Sequence, residues 1–432
     1  MAMQHTRLGA SWPTMPGSAR ARLRAVARHA TSCASVDASA DAAAVDVVVV
    51  GAGVNGIGTA RRLAAEGLAV TVLERQGEVG GIWSEFANDT SRSQNHEPAY
   101  RLGPSVGSED YTVKGNVIAD LWRGARETGI AGRIRCGVEV VRVIDEPGAE
   151  SVRVVYREGA AGEPRELSCG HVIFCTGSLQ RPRNPPLPGE EAFGGPVVLG
   201  LGSAVNDLSF SGKTVTVIGM GAFAIENARL ALLNGAAHVH MVARTLVYVT
   251  SRLTRVLNIL SSAAFYHPRG EGVGEGLPPV GDRMELMRRQ YYETSATASL
   301  PGHSDHSSTP WTTSDIFFLG HALGRLSVHK GTVESLAPGV AVVAVGEGAE
   351  GAGETREIQC DCVIKNLGFD GVDLGDRMGG ICDVVGHRSC RPPIWITERV
   401  LTFRHQTDLP RDLPRAVADQ LCVHCSSSTP TL

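Results

Sequence analysis

Three glycines, Gly51, Gly53 and Gly56, follow the β-branched run Val45-Asp-Val-Val-Val-Val50. In such a spacing the first glycine permits a tight turn and the second lets backbone approach a pyrophosphate. The third lets the next helix pack closely on the strand, so that phosphate sits at the positive helix N-terminus. Glu74 stands 23 residues after Gly51, at the end of a second strand predicted over Ala69–Leu73. A carboxylate there accepts hydrogen bonds from both ribose hydroxyls and repels a 2′-phosphate, which selects FAD or NAD over NADP. Past Glu74 runs Arg75-Gln-Gly-Glu-Val-Gly-Gly-Ile-Trp83. The paired Gly80-Gly81 let the chain pass tightly under a further part of a ligand. FAD extends its ribityl chain and flavin in this way, whereas a nicotinamide dinucleotide needs no such continuation. The competing reading is a plain Gly-Gly turn with Trp83 as a core residue.

The pattern recurs 168 positions later, from Gly51 to Gly219. Thr214-Val-Thr-Val-Ile218 reads as a strand, Gly219-Met-Gly-Ala-Phe-Ala224 as the glycine turn with Gly221 at its centre, and Ile225–Asn234 as a helix. The next strand, His238–Val242, is followed by Arg244. A guanidinium there makes bidentate, charge-assisted bonds to a 2′-phosphate and selects NADPH over NADH. The competing reading is a surface arginine.

These turns need parallel strands to hold them. Val45–Val50 is too short for a helix and suits a strand buried on both faces. The stretch Ile57–Gly67 reads as a helix closed by a left-handed glycine, and Gly235 closes its counterpart. Two such βαβ units imply an α/β fold with two Rossmann-like dinucleotide-binding domains, the second inserted in the first. The expected bounds are 45–186 for the first part of the FAD domain, 187–330 for the NADPH domain and 331–381 for the return. His171-Val-Ile-Phe-Cys-Thr-Gly177 and Cys362-Val-Ile-Lys-Asn-Leu-Gly-Phe369 are similar strand-and-turn pieces, and 346–355 reads as a Gly/Glu-rich hairpin loop. Residues 382–432 carry neither periodicity nor a nucleotide motif.

The composition agrees with this. Against 45 acidic residues stand 41 Lys and Arg, a net charge of −4, which excludes a wholesale nucleic-acid-binding surface. Hydrophobic residues at 43% suffice for a core, and 51 glycines with only 5% aromatics suit glycine-rich nucleotide turns. No apolar run reaches the ~18 residues that span a bilayer. The ten cysteines are irregularly spaced and read as thiols of a reducing compartment. Up to Val36 the chain has five arginines and no acid, so residues 1–44 read either as a transit peptide to a plastid or mitochondrion or as a disordered tail of a cytoplasmic protein.

The order of motifs carries a family resemblance. It runs from GxGxxG with Glu74 through Gly80-Gly-Ile-Trp83 to Cys175-Thr-Gly177. GxGxxA with Arg244 follows, and the glycine-ended strand at Leu367-Gly-Phe369 closes the series. From about Asp46 to Asp370 the chain resembles the group B flavoprotein monooxygenases, which include flavin-containing, N-hydroxylating and Baeyer–Villiger monooxygenases. The resemblance implies FAD and NADPH as cofactors, with O2 and a small molecule as substrates. NADPH reduces the flavin, the reduced flavin captures O2 as a C4a-(hydro)peroxide, and bound NADP+ shields it. One oxygen atom then passes to the substrate, here expected at a nitrogen or sulfur nucleophile. The expected cofactor contacts are Gly51, Gly53, Asn55, Gly56, Glu74, Arg75, Gly81, Ile82, Trp83, Val140, Thr176 and Gly177 for FAD. For NADPH they are Gly219, Gly221, Ala224 and Arg244. The expected catalytic residue is Asn88, with Asn95 as a rival and a turn-capping role as the alternative.

Three features depart from that family. Phe193-Gly-Gly-Pro-Val-Val-Leu199 fits the fingerprint FxGxxxH except that Leu199 replaces the histidine, and Phe223 stands where a serine is usual. The family's usual end to the flavin domain is absent after Asp370. Leu199 motivates an alternative, a flavin-dependent NADPH oxidase or reductase without productive oxygen transfer. The unfamiliar tail motivates another, a catalytically dead flavoprotein with a binding role. Cys422-Val-His-Cys425 lacks a second pair at zinc spacing, His303-Ser-Asp-His306 reads as a solvated loop, and Cys360 and Cys362 read as structural residues sharing one strand face.

Overall fold

The structure, a computed structural model, describes residues 45–94, 111–145, 149, 151–177, 179–252, 311–370, 382–383 and 394–396. The leader, Asn95, the His303/His306 and Cys422/Cys425 pairs and most of the tail lie outside the described residues. The chain divides at Arg183/Asn184 and again at Leu367/Gly368 into two compact units.

The first unit is built on β1 (Val45–Val50), α1 (Val54–Ala65) and β2 (Val70–Glu74). Strand β1 pairs in parallel with β2 on one side and with β6 (Arg165–Phe174) on the other. Both its edges are therefore paired, and both its faces are covered. Val47 and Val49 join the cluster formed with Ile57, Ala60 and Leu63 of α1, while Val45, Val48 and Val50 join Val154, Tyr156 and Phe174 on the opposite face. That is why the strand is a near-continuous valine run rather than an alternation. Helix α2 (Ile82–Glu85) is one short turn, and α3 (Lys114–Glu127) lays Val117, Leu121 and Ala125 inward. A Cβ at Gly124 of α3 would come within 2.7 Å of the Arg61 side chain, so this glycine lets α1 and α3 close on each other. Strand β3 (Ile134–Cys136) extends the parallel sheet beyond β2. Then β4 (Val138–Ile144) and β5 (Val152–Glu158) form an antiparallel meander leading into β6. After the insertion the chain rejoins this unit: Phe369 bridges Pro182, and the Arg183 N–H donates to the Gly368 carbonyl.

The second unit repeats the plan. Strand β8 (Thr214–Ile218) leads through α4 (Ala222–Leu233) to β9 (His238–Ala243). Two short strands, β10 (Tyr248–Thr250) and β11 (Trp311–Thr313), pair in parallel, and helix α5 (Asp315–Ala322) then precedes the long strand β12 (Leu326–Ala337). The first half of β12 is parallel to β9 and its second half is antiparallel to β13 (Val340–Val345). Strands β14 (Thr355–Gln359) and β15 (Cys362–Lys365) follow, and β15 returns beside β8. The sheet order is β14-β13-β12-β9-β8-β15-β7, with β7 covering Val197–Leu199. Helix α4 is buried from Ala224 to Leu232, and its interior ion pair, Arg229–Glu226 at 2.6 Å, is buried with it.

Four expectations change. Both helices of the βαβ units begin three residues earlier than read, at Val54 and Ala222, because Gly53 and Gly221 cap them and the glycine turn supplies their first residues. The chain from 331 to 365 does not return to the first unit. Its strands belong to the second sheet, and the return comes at Gly368. Cys360 and Cys362 do not share a face: the chain bends at Asp361, so Cys360 packs with Val333, Ala341 and Ile358 of β12–β14 while Cys362 packs with the α4 core. Cys136 is disulfide-bonded, against the expectation that all ten cysteines are thiols.

Candidate functional site

Each glycine turn sits at the carboxyl end of the first strand of its βαβ motif, β1 or β8, where open α/β sheets take ligands. In the first unit, Gly51 has φ +102°, and a Cβ on it would lie 2.8 Å from the Cys175 carbonyl oxygen. A Cβ on Gly56 would lie 1.8 Å from the Gly51 oxygen, so no other residue fits at the start of α1. Gly53 caps α1 and faces Gly81: a Cβ on Gly81 would come within 3.1 Å of the Gly53 Cα. The two glycine pairs are thus one backbone cradle. Asn55 lies in the first turn of α1 at its rim, and its Oδ1 is buried and accepts no hydrogen bond among the described residues.

Glu74 ends β2 and is buried. Its Oε2 accepts from the Ala52 N–H at 2.6 Å and its Oε1 from the Gln76 N–H at 2.7 Å, which fixes the carboxylate beside the turn. Each oxygen keeps a lone pair for a further donor. Arg75 is exposed next to it. Burial, reinforced by Glu74, pushes the Glu85 carboxyl above its ordinary range, although Arg75 opposes this.

Ile82 is an exposed large apolar side chain next to Gly81, whereas Trp83 is buried against Ala87 and Val117. Its surroundings are those of the core reading. Thr176 and Gly177, with φ +70° at the glycine, follow β6 beside Gly51. Val140 lies in the apolar core under the meander. Burial pushes the Cys175 thiol up to about 12, so it is a packing residue against Thr59.

Asn88 follows α2 and is buried. Its Oδ1 accepts from both the backbone N–H and the hydroxyl of Thr90, each at 3.0 Å. The side chain is therefore locked in an Asx turn. Lys114 braces the same loop by donating to the Ala87 carbonyl at 2.8 Å.

In the second unit, Gly219 has φ +104° and abuts the Asn366 carbonyl, 2.4 Å from where its Cβ would be. Gly221 caps α4, Ala224 is buried in it, and Arg244 is exposed just past β9. The structure thus groups the first-unit residues around one turn, Val140, Trp83 and Asn88 excepted, and groups Gly219, Gly221 and Ala224 around the other. Leu199 ends β7 and pairs with Lys365. The Lys365 ammonium is buried and donates to Glu190 at 2.9 Å and to the Pro185 carbonyl at 3.3 Å. Sequence reasoning missed this pair, and partners 175 positions apart leave no local signal.

The chain belongs to the pyridine nucleotide-disulphide oxidoreductase family, whose pattern matches residues 45–264, just over half of it. It is 30% identical over 212 residues to the FAD-containing monooxygenase EthA of Mycolicibacterium smegmatis, a match covering 48% of this chain and 42% of that protein. It is 32% identical over 237 residues to the flavin-containing monooxygenase FMO GS-OX-like 6 of Arabidopsis thaliana, covering 47% of this chain and 49% of that one. The chain therefore spans less than half the length of these relatives. Its fold matches that of an oxidized steroid monooxygenase bound to NADP, with a TM-score of 0.58 and 18% identity over 80% of this chain and 74% of that one. A cyclohexanone monooxygenase structure with ε-caprolactone bound matches at a TM-score of 0.54 and 16% identity, over 76% and 74%.

Proposed function

We propose that this chain is an NADPH-dependent FAD monooxygenase that places one oxygen atom from O2 on a small molecule, at a nitrogen or sulfur nucleophile. The observation that carries the reading is the pairing of two glycine cradles with opposite charges at their ribose ends: buried Glu74 beside the first and exposed Arg244 beside the second. The first cradle fits FAD. Its glycines leave backbone room, the Asn55 Oδ1 is an unused acceptor, and Gly80-Gly81 continue the channel. FAD, when bound, supplies the redox and oxygen chemistry.

The side chains position and select. N–H groups at the start of α1 bind the pyrophosphate, and Glu74 takes the ribose hydroxyls and excludes a 2′-phosphate. Arg244 takes the 2′-phosphate of NADPH at the second cradle. Asn88, just past α2 and held by Thr90, is the preorganised amide of this reading.

The relatives' names support the FAD-containing monooxygenase class, and Leu199 in place of the fingerprint histidine, which argues against a standard Baeyer–Villiger enzyme, supports the nitrogen or sulfur preference. The test is purification with bound yellow flavin, NADPH consumption under O2, and product mass from a panel of amines, thioethers and ketones. A protein that carries flavin and NADPH activity but releases only hydrogen peroxide, with every substrate unchanged, refutes the monooxygenase reading. It would establish the second reading, an NADPH oxidase, which Leu199 favours.

A further inference from the structure

In the second sheet β8 lies between β9 and β15, and the chain leaves it through α4 toward β9. The ligand crevice of such a sheet opens between strands whose connections diverge, here β8 and β15. Its lips are the Gly219 turn and the chain leaving β15 at Asn366. These lips touch, since only a glycine at 219 leaves room for the Asn366 carbonyl. Behind them sits Asn227, in the second turn of α4 and 1% exposed. Its Nδ2 donates to the Gly200 carbonyl at 2.8 Å and to Asn366 Oδ1 at 2.9 Å. Gly200 in turn donates its N–H to the Lys365 carbonyl at 2.8 Å. A Cβ on Gly200 would lie 2.2 Å from Asn366 Oδ1, so the side chain of Asn366 occupies space that only glycine leaves. One amide group, with two hydrogens, thus joins three segments: the turn after β7, α4 and the end of β15.

The first unit shows what the same place looks like without this tie. Thr59 precedes Asn227 by the same 168 positions that separate Gly51 from Gly219, and Cys175 follows β6 as Asn366 follows β15. There the contact is a weak thiol hydrogen bond, Cys175 Sγ to Thr59 Oγ1 at 3.9 Å. Among the described residues the amide tie is a feature of the second unit.

We infer that Asn227 is a positioning residue for the dinucleotide of the second unit, acting through Asn366 and Gly200 to hold the lip of the crevice against the Gly219 turn. The inference rests on the reading of this unit as the NADPH module. Asn227 holds the lip and leaves the 2′-phosphate to Arg244, so it affects NADPH and NADH alike.

The test is Asn227→Thr combined with Asn366→Cys, which transplants a pair this scaffold already packs in its first unit. FAD-loaded protein is titrated calorimetrically with NADPH and with NADH. The expected result is affinity about 30-fold weaker for both, the size of two lost buried hydrogen bonds at about 1 kcal/mol each. Flavin content should be full, and the unfolding temperature should fall by no more than about 5 °C. Asn227→Ser, which keeps one donor, should fall between. Wild-type affinity for both dinucleotides in folded variants overturns the inference, and so does a loss confined to NADPH. A loss that appears only with collapse of the far-ultraviolet spectrum in both variants assigns the pair to folding and also overturns it. If the unsubstituted protein binds neither dinucleotide, the NADPH reading itself has failed, and that outcome is visible before any variant is made.

Discussion

Gly56→Ala is the sharpest perturbation of the first cradle. The new methyl carbon would start 1.8 Å from the Gly51 carbonyl oxygen, and ordinary contact begins at 3.4 Å, so the start of α1 must retreat by about 1.6 Å. The obstacle is backbone, held by the Gly51 N–H donating to Leu73 at 2.8 Å, and no flexible side chain is there to yield. A hydrogen bond of ~2.9 Å from the helix N–H groups to a phosphate would stretch to ~4.5 Å and cease to be one. Bonds to a charged group are worth ~1.5–3 kcal/mol each, so losing two costs ~3–6 kcal/mol. That is ~10²- to 10⁴-fold in FAD affinity. The assay is the flavin-to-protein ratio after gel filtration, followed by FAD titration of the stripped protein by fluorescence. Gly67→Ala is the control. Its φ of +88° makes a side chain strained, yet nothing lies within 4 Å of the new carbon, so it should cost ~1 kcal/mol of stability and leave FAD untouched. A Gly56→Ala protein that keeps one FAD per chain at wild-type affinity would falsify the cradle assignment.

Arg244→Ala should raise the KM for NADPH by about 10- to 150-fold and leave that for NADH nearly unchanged, and equal losses would count against a 2′-phosphate role. Asn88→Leu should retain flavin and NADPH oxidation but divert product to hydrogen peroxide; unchanged product yield would make Asn88 a turn residue only. The half-buried His240 and His329 contact each other at 3.0 Å, and burial holds both near about 4, helped by His238 and His329 around His240 and by Arg356 and His238 around His329. Both are neutral when folded and charge at their ordinary value when unfolded. Their contribution to stability is therefore complete above about pH 6.5 and is lost as pH falls toward 4. Unfolding temperature measured across that window should drop less steeply in His240→Gln/His329→Gln than in the parent, and parallel curves would refute this.

The elements that read correctly from sequence are those whose local pattern and burial coincide. Strands β1, β2, β8 and β9 lie within one residue of expectation, because β-branched residues crowd the strands buried on both faces, as in β1 and β8, and β9 carries a buried apolar end after its two half-buried histidines. The left-handed glycines Gly67 and Gly235 also stand where the helix patterns end. The misread boundary at 331 has a physical cause. Strand β12 changes partner at Gly331, from parallel β9 to antiparallel β13, and a register shift between Val333 and Ser335 breaks its alternation. Its periodicity therefore does not reveal which sheet it joins. At the candidate site, the glycines, Glu74 and Arg244 stand out in the sequence because each occupies a fixed offset in a short motif. Asn227–Asn366 and Lys365–Glu190 were not, since 139 and 175 positions separate the partners and only the folded sheet brings them together.

The two units share one scaffold, and the substitutions between them explain why the second needs a tie that the first does without. Gly56 in the first turn of α1 lets that helix press on the Gly51 carbonyl, so the cradle is set by backbone against backbone. Its counterpart 168 positions on is Ala224, whose methyl the second unit accommodates while keeping the residue fully buried. Helix α4 must therefore stand back from its turn by at least that methyl. The close approach moves instead to Gly219 against the end of β15, 2.4 Å at a virtual Cβ, where the matching distance at Gly51 is 2.8 Å. A lip formed by a strand end is held only by what fixes that strand end. Asn227 does this from α4, and Lys365, anchored by Glu190 and the Pro185 carbonyl, does it from the strand itself. The buried polar groups of the second unit thus lie where the glycine of the first has been given up.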